Sequence, residues 1–234
     1  MRIRWYGQSA FLLTGSDGAR VFVDPFGEYP GELLAQRRQR LPDFRFDYAP
    51  IHAVEADLLL VTHEHFDHNG VDAVAGDPHT VRSTAGTFET PVGSVVAVAS
   101  EHDDAAGTQR GPNTIFVFSL DGLRISHFGD FGQSELRPAQ REAIGDVDVL
   151  LLPVGGGPTT GGEPAAALVR ALRPRLVVAM HYGNEAVSFL AEPEPFLDAL
   201  PEGRVERLDT SEADAEPLLG ERDAPVVVLF APPR

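Results

Sequence analysis

Asp57-Leu58-Leu59-Leu60-Val61-Thr62-His63-Glu64-His65-Phe66-Asp67-His68-Asn69-Gly70 runs from an unbroken apolar stretch into three histidines and an aspartate within six positions. The apolar part, with no polar alternation, reads as a strand buried on both faces. Imidazole and carboxylate suit zinc, iron and manganese, and a stiff strand feeding a short loop holds such groups before an ion arrives. His63 and His65 are two apart and can present rings to one side of an extended segment, whereas the adjacent Asp67 and His68 must diverge. One ion cannot readily take all four. His63 and His65 would serve one ion and Asp67 and His68 a neighbour, each ion needing ligands from elsewhere.

Outward from this segment, its surroundings recur. Asp148-Val149-Leu150-Leu151-Leu152-Pro153 resembles the stretch from Asp57 to Thr62, with Val154 where His63 stands. Before each copy lies a hairpin pattern. Residues Ser9 to Leu13 and Arg20 to Asp24 are joined through Ser16-Asp17-Gly18, and Thr114 to Phe118 and Leu123 to Ile125 through Asp121-Gly122. Each hairpin is soon followed by an aspartate and a Phe-Gly pair, Asp24-Pro25-Phe26-Gly27 and Asp130-Phe131-Gly132. Strands alternate with helix candidates at Gly31–Leu41, Pro138–Ile144, Glu163–Leu172 and Pro195–Leu200, and Val226–Phe230 reads as a closing strand. The expectation is an α/β protein, one domain over residues 1–234, built from two face-to-face sheets with helices outside. Leu41 to Ile51 fits neither period, and its Phe44, Phe46 and Tyr48 are expected to plug a core edge rather than cover the site.

Composition removes several function classes. With 234 residues the chain can bury a large core. No apolar stretch approaches a membrane span and Met1 to Gly7 shows no signal-peptide pattern, so a cytoplasmic protein without membrane attachment is expected. The absence of cysteine excludes thiolate chemistry and cysteine-ligated zinc. All nineteen basic residues are arginine, which excludes a Schiff-base lysine and a phosphate-loop lysine. A net charge of −16 opposes nucleic acid as a partner. Arg37-Arg38-Gln39-Arg40 is expected to be a solvated helix face.

The other histidines sort by context. His102 follows the β-like run Val95 to Ala99, and His181 ends the run Leu176 to Met180. Both stand where strands deliver functional side chains to the edge of an α/β sheet. Asp130 also follows a strand, and its carboxylate could bridge two cations. His52, His79 and His127 lack a partner pattern and are expected to be surface or hydrogen-bonded structural residues. His63-Glu64 does not begin a zincin motif, because Asp67 stands where the second histidine is needed.

The pattern His63-x-His65-x-Asp67-His68, followed by His102, Asp130 and His181, resembles that of the metallo-β-lactamase superfamily across nearly the whole chain. The contexts Gly129-Asp130-Phe131-Gly132 and Met180-His181-Tyr182-Gly183 are most similar to the Zn-dependent hydrolase branch that holds the L-ascorbate-6-phosphate lactonase. The resemblance implies a four-layer αββα sandwich. It also implies one ion on His63, His65 and His102, a second on Asp67, His68 and His181, Asp130 between them, and Asp24 supporting the metal loop from behind. Two divalent ions are therefore expected, zinc first, with manganese or iron as alternatives. About 3.5–4 Å apart, they would generate a shared hydroxide to attack a small ester, lactone or phosphoester substrate. Asp67 would orient that hydroxide or carry a proton to the leaving group. Tyr182 could donate to a developing oxyanion, with core packing the commoner role. Arg110, in the loop from Ala105 to Asn113, could bind an anionic substrate group, against the alternative of a free surface arginine. Gly155 to Gly162 is expected to be a flexible connection.

Three rivals stand beside the hydrolase reading. A nuclease or phosphodiesterase of the same superfamily would need a basic arm, which is lacking here. A di-iron redox protein of the flavin-partnered kind would carry glutamate at position 65 and a flavodoxin-like domain. A metal-binding regulator would hold the ligands without turnover.

Overall fold

A computed structural model describes residues 1–233. Its first half forms β1 (Arg2–Gly7), β2 (Ala10–Thr14), β3 (Arg20–Val23), α1 (Gly31–Arg40), β4 (Val54–Glu55), β5 (Leu58–Val61), β6 (Val74–Ala75) and β7 (His79–Arg82). The second half continues with β8 (Gly86–Thr90), β9 (Gly93–Glu101), β10 (Pro112–Leu120), β11 (Leu123–His127), α2 (Pro138–Ile144), β12 (Val149–Pro153), α3 (Gly162–Leu172) and β13 (Leu176–Met180). It closes with α4 (Glu194–Ala199), β14 (Arg204–Arg207), β15 (Glu212–Asp214) and β16 (Val226–Leu229). One sheet has the order β15-β1-β2-β3-β5-β7, the other β14-β16-β13-β12-β11-β10-β9-β8, and β4 and β6 form a separate ribbon. The α/β class is met.

The two sheets face each other across an aromatic layer. Trp5 of β1 stacks on Tyr182 with centroids 5.9 Å apart, and Phe11 of β2 meets the His127 ring edge-on at 6.1 Å. His127 Nε2 donates to Ser9 O at 2.9 Å, tying β11 to the β1–β2 turn. Phe11, Phe22, Phe116 and Phe118 are all buried, each stabilising the fold by about 1.5–3 kcal/mol.

The recurrence seen in the sequence is a recurrence of register. In the first sheet β2 pairs antiparallel with β3 (Phe11 opposite Val23) and β3 parallel with β5 (Val23 beside Leu60). In the second, Phe116 of β10 lies opposite His127 of β11, and His127 beside Leu151 of β12. Arg20 N donates to Asp57 Oδ2 at 2.8 Å, and Arg124 N to Asp148 Oδ2 at 3.0 Å. The same two aspartates return the bond, Asp57 N to Arg20 O and Asp148 N to Arg124 O.

The helices are unequal. α3 buries Ala165, Ala166, Leu168, Val169 and Leu172, an apolar stripe at helical spacing, and carries the chain from β12 to its parallel neighbour β13. α1 buries nothing, because Leu33 and Leu34 are adjacent and the rest of the helix is polar or alanine. Its arginines are exposed, as expected of a solvated face. Phe44, Phe46 and Tyr48 do plug a core edge. Phe44 stacks on Phe189 at 4.8 Å, and Phe46 packs against Tyr29 at 5.1 Å. Tyr29 in turn touches Phe66 of the histidine loop at 4.4 Å, so the plug also buttresses that loop. Among the described residues no helix is long and apolar enough to cross a membrane.

Candidate metal centre

Strand direction gathers the candidate residues. β1, β3 and β5 run the same way in the first sheet, as do β9, β11, β12 and β13 in the second. Their C-terminal ends release Gln8, Asp24 and His63 on one side, and His102, Asp130 and His181 on the other. All seven expected ligands come together. The ligand atoms of His63, His65 and His102 lie within 4.8 Å of one another, as do those of Asp67, His68 and His181, and those of His63, His68 and Asp130.

Asp130 sits at the middle. Its carboxylate is 3.2 Å from His68 Nε2, 3.0 Å from His102 Nε2, 3.3 Å from His181 Nε2 and 4.0 Å from His63 Nε2. Gly129 allows this approach: it has φ +54°, and a Cβ there would stand 2.7 Å from Thr62. Asn113 Oδ1 accepts from Asp130 N at 3.0 Å and fixes the turn.

The far side of most rings is held by an acceptor. Asp24 Oδ2 accepts from His68 Nδ1 at 2.9 Å, Thr62 Oγ1 from His63 Nδ1 at 3.0 Å, and Pro158 O from His102 Nδ1 at 3.0 Å. A ring that donates through Nδ1 presents the Nε2 lone pair to the cluster, the state in which histidine binds metal. Asp24 further accepts from Thr62 N and Thr62 Oγ1, both at 2.7 Å, so one buried carboxylate orients the strand end and a ligand together. His68 Nε2, although 3.2 Å from Asp130 Oδ1, is off the hydrogen-bonding direction and unpaired, and His181 Nδ1 is unpaired as well. A buried lone pair such as that of His68 Nε2, facing carboxylate oxygens without a donor, is what a cation would satisfy, and the donor set fits a divalent ion.

Charge follows the same plan. Burial and the neighbouring imidazoles push His63 well below its usual value, and burial lowers His65 and His181. For His68 burial acts in the same direction, but Asp130, Asp24 and Asp67 overcome it and raise the pKa. Burial would raise Asp130, yet His181, His68 and His102 hold it well below the carboxylate range.

Other residues fall differently. Tyr182 takes the packing role expected to be the commoner of its two: its ring stacks on Trp5 and its hydroxyl reaches Phe230 O at 3.4 Å. Burial raises its pKa. Arg110 is exposed, and only its backbone N is engaged, by Asp103 at 2.8 Å. Asp103 itself had no expected role. Its carboxylate accepts from the backbone of Ala105, Gly107, Gln109 and Arg110, making the loop after His102 a closed turn, and these donors outweigh burial and lower its pKa. The glycine-rich stretch is a strut as well as a connection, since Pro158 O holds His102 and a Cβ on Gly155 would lie 2.3 Å from His181 O. Glu64 turns outward, anchored by Arg82 Nε at 2.8 Å and Ser83 Oγ at 2.7 Å, with its pKa lowered to about 2 chiefly by Arg82. His52 and His79 are exposed; His127 is structural, with Nδ1 accepting from Gly129 N.

Comparison with known proteins gives a consistent picture. The family description "Beta-lactamase superfamily domain" matches residues 2–181. A UPF0173 metal-dependent hydrolase of Thermococcus onnurineus is 31% identical over 220 residues, covering 84% of this chain and 90% of the relative. A UPF0173 protein of Pyrococcus furiosus is 30% identical, covering 88% and 93%. Among solved structures, a Thermotoga maritima protein described as a candidate Zn-dependent hydrolase of the metallo-beta-lactamase superfamily superposes with a TM-score of 0.72 at 26% identity, covering 98% of both chains.

Proposed function

The chain belongs to the beta-lactamase superfamily and, within it, to the UPF0173 metal-dependent hydrolases, and from that membership we propose a dinuclear hydrolase of a small ester, lactone or phosphoester, working as one domain over residues 1–234. The observation that carries the reading is Asp130, whose carboxylate lies within 3.3 Å of Nε2 of His68, His102 and His181. One divalent ion would be held by His63, His65 and His102 and the other by Asp67, His68 and His181, with zinc expected and manganese or iron as alternatives. When bound, such ions lower the pKa of water and polarise the bond being cleaved.

The chain's own groups then divide the remaining work. Asp130 is 2% exposed and surrounded by imidazoles, so it serves as a fixed charge. Asp67, 9% exposed at the rim, is the carboxylate suited to take a proton from water or hand one to a leaving group. Asp24, Thr62 and Pro158 keep the rings oriented. Arg110 offers a guanidinium without a carboxylate partner to an anionic part of the substrate. The resemblance of Gly129-Asp130-Phe131-Gly132 and Met180-His181-Tyr182-Gly183 to the branch that holds the L-ascorbate-6-phosphate lactonase would make lactones the first substrates to try.

Metal analysis of the purified protein tests this, joined to a hydrolysis screen over lactones, β-lactams, phosphodiesters and thioesters. About two ions per chain are expected. His65→Ala and Asp130→Ala should each lose more activity than the roughly 10–100-fold typical of removing a supporting residue. Turnover that survives both substitutions would overturn the mechanism.

A further inference from the structure

Of the strand ends that meet at the centre, β1 brings neither histidine nor aspartate but Gln8. It leaves the first sheet where His102 leaves the second: Trp5 pairs with Phe11 as Ala97 pairs with Phe116, so β1 and β9 hold matching places beside the two hairpins. Gln8 is fully buried. Its backbone is pinned, with the carbonyl accepting from Trp5 Nε1 at 2.9 Å and from His181 N at 3.3 Å. It adopts φ +48°, a left-handed conformation disfavoured for glutamine.

The side chain makes one hydrogen bond. Nε2 donates to Asp67 Oδ2 at 3.4 Å, and among the described residues no other hydrogen bond reaches that carboxylate. The carboxylate only accepts, so the amide nitrogen must face it and the oxygen must face away. Oε1 is buried and has no partner. A glutamine that merely filled space would be expected to satisfy both ends, or to be replaced by an apolar residue that leaves nothing unpaired. Backbone strain and an unpaired polar atom therefore coincide at a residue whose side chain touches a site carboxylate. The next residue continues the arrangement, Ser9 Oγ donating to Asp130 Oδ1 at 3.4 Å.

We propose that Gln8 is a positioning residue for Asp67, its amide N–H fixing the carboxylate that the second ion and the proton transfer both need. The inference rests on the hydrolase reading, in which Asp67 is both a ligand and the proton carrier. Tying Oδ2 to Gln8 limits the rotation of Asp67 and holds that oxygen 3.9 Å from His68 Nε2, on the side of the cluster.

Gln8→Asn and Gln8→Met separate the roles. Asparagine tolerates the left-handed backbone better than glutamine, so the fold is kept while the amide falls one methylene short of Asp67. Methionine keeps the length and removes the hydrogen bond to Asp67. Purified protein is dialysed against graded EDTA, and the ions retained per chain are counted beside kcat and KM. In both variants about one ion should be lost at roughly 10–100-fold lower chelator than in the parent, the other being retained as before. The kcat should fall in both variants while KM stays close to that of the parent, as expected of a residue that acts through Asp67 and not on the substrate. Variants that match the parent in ion retention, kcat and KM overturn the role of Gln8 alone. A parent that holds no second ion overturns the dinuclear reading and this inference with it.

Discussion

In the first sheet β5 is followed by Thr62-His63, and in the second the matching positions at the end of β12 are Pro153-Val154, although the strands around them pair in the same register. Asp57 and Asp148 are pinned by the same backbone bonds, while the position of Asp24 after β3 is taken after β11 by Phe128. The shared parts are those that a hairpin followed by a buried parallel strand needs. The unshared parts are chemical. Where a histidine loop follows the strand, a buried carboxylate stands behind it; where none follows, an aromatic ring fills the place. The second sheet contributes instead through separated strand ends, His102, Asp130 and His181, each braced by the main chain or by Asn113.

Asp24→Ala breaks this contrast most severely. It removes the acceptor of Thr62 N, Thr62 Oγ1 and His68 Nδ1, all buried. Deleting one partner of a buried charged network typically costs about 3–5 kcal/mol. Urea unfolding should show a loss of that order, and chelator competition should show metal retention weakened roughly 10–100-fold. A variant that loses stability yet keeps its metal would assign Asp24 to the fold alone.

How much could be read beforehand follows from what leaves a mark in residue type. His102, Asp130 and His181 were legible because a polar ligand type directly after an apolar run is unusual in a core strand. The duplicated hairpins were legible through Asp57 and Asp148. Pro158 was not, since it acts through its carbonyl, which every residue has. Asp103 looks like any loop aspartate until its four backbone donors are seen. Tyr182 could be read either way, with packing favoured, because its direction is set by the left-handed turn at His181 (φ +50°), which residue type does not reveal. Gln8 obeyed the strand-end rule and was missed because only histidine and aspartate were sorted by it.

Acidification sharpens the comparison between the sheets. Burial lowers the pKa of His63 and His65 in the first, and of His127 and His181 in the second. Below about pH 6.5 the unfolded chain takes up protons these imidazoles refuse, so their contribution falls as pH falls. His68 acts oppositely: its raised pKa favours the fold below pH 6.5, an advantage lost as pH rises through its folded value. Four against one, chelated protein should lose stability between pH 7 and 5.5, by about 1.4 kcal/mol per pH unit for each histidine held neutral. His127→Val installs the residue that the first sheet has at that register position, Val23, and should flatten the slope by one such increment. An unchanged slope would mean that His127 titrates alike in both states.

The smallest effect tests whether matching register means matching energy. Asp57 accepts from Arg20 N and has a loose contact with Arg20 Nε at 3.6 Å, its side chain 42% exposed. Asp148 accepts from Arg124 N and from Arg222 Nη2 at 2.8 Å, its side chain 18% exposed. A single such hydrogen bond contributes about 1 kcal/mol, so Asp57→Ala should cost about that much in urea unfolding. Asp148→Ala should cost up to about 1 kcal/mol more, the upper range of a partly exposed ion pair. Equal losses would show that Arg222 adds nothing and that the backbone bond is the whole of the shared device. A larger loss at Asp57 would mean that the copy bearing the histidine loop depends more on its strand anchor than the copy without one, which is the outcome expected if ligand crowding after β5 strains the strand it follows.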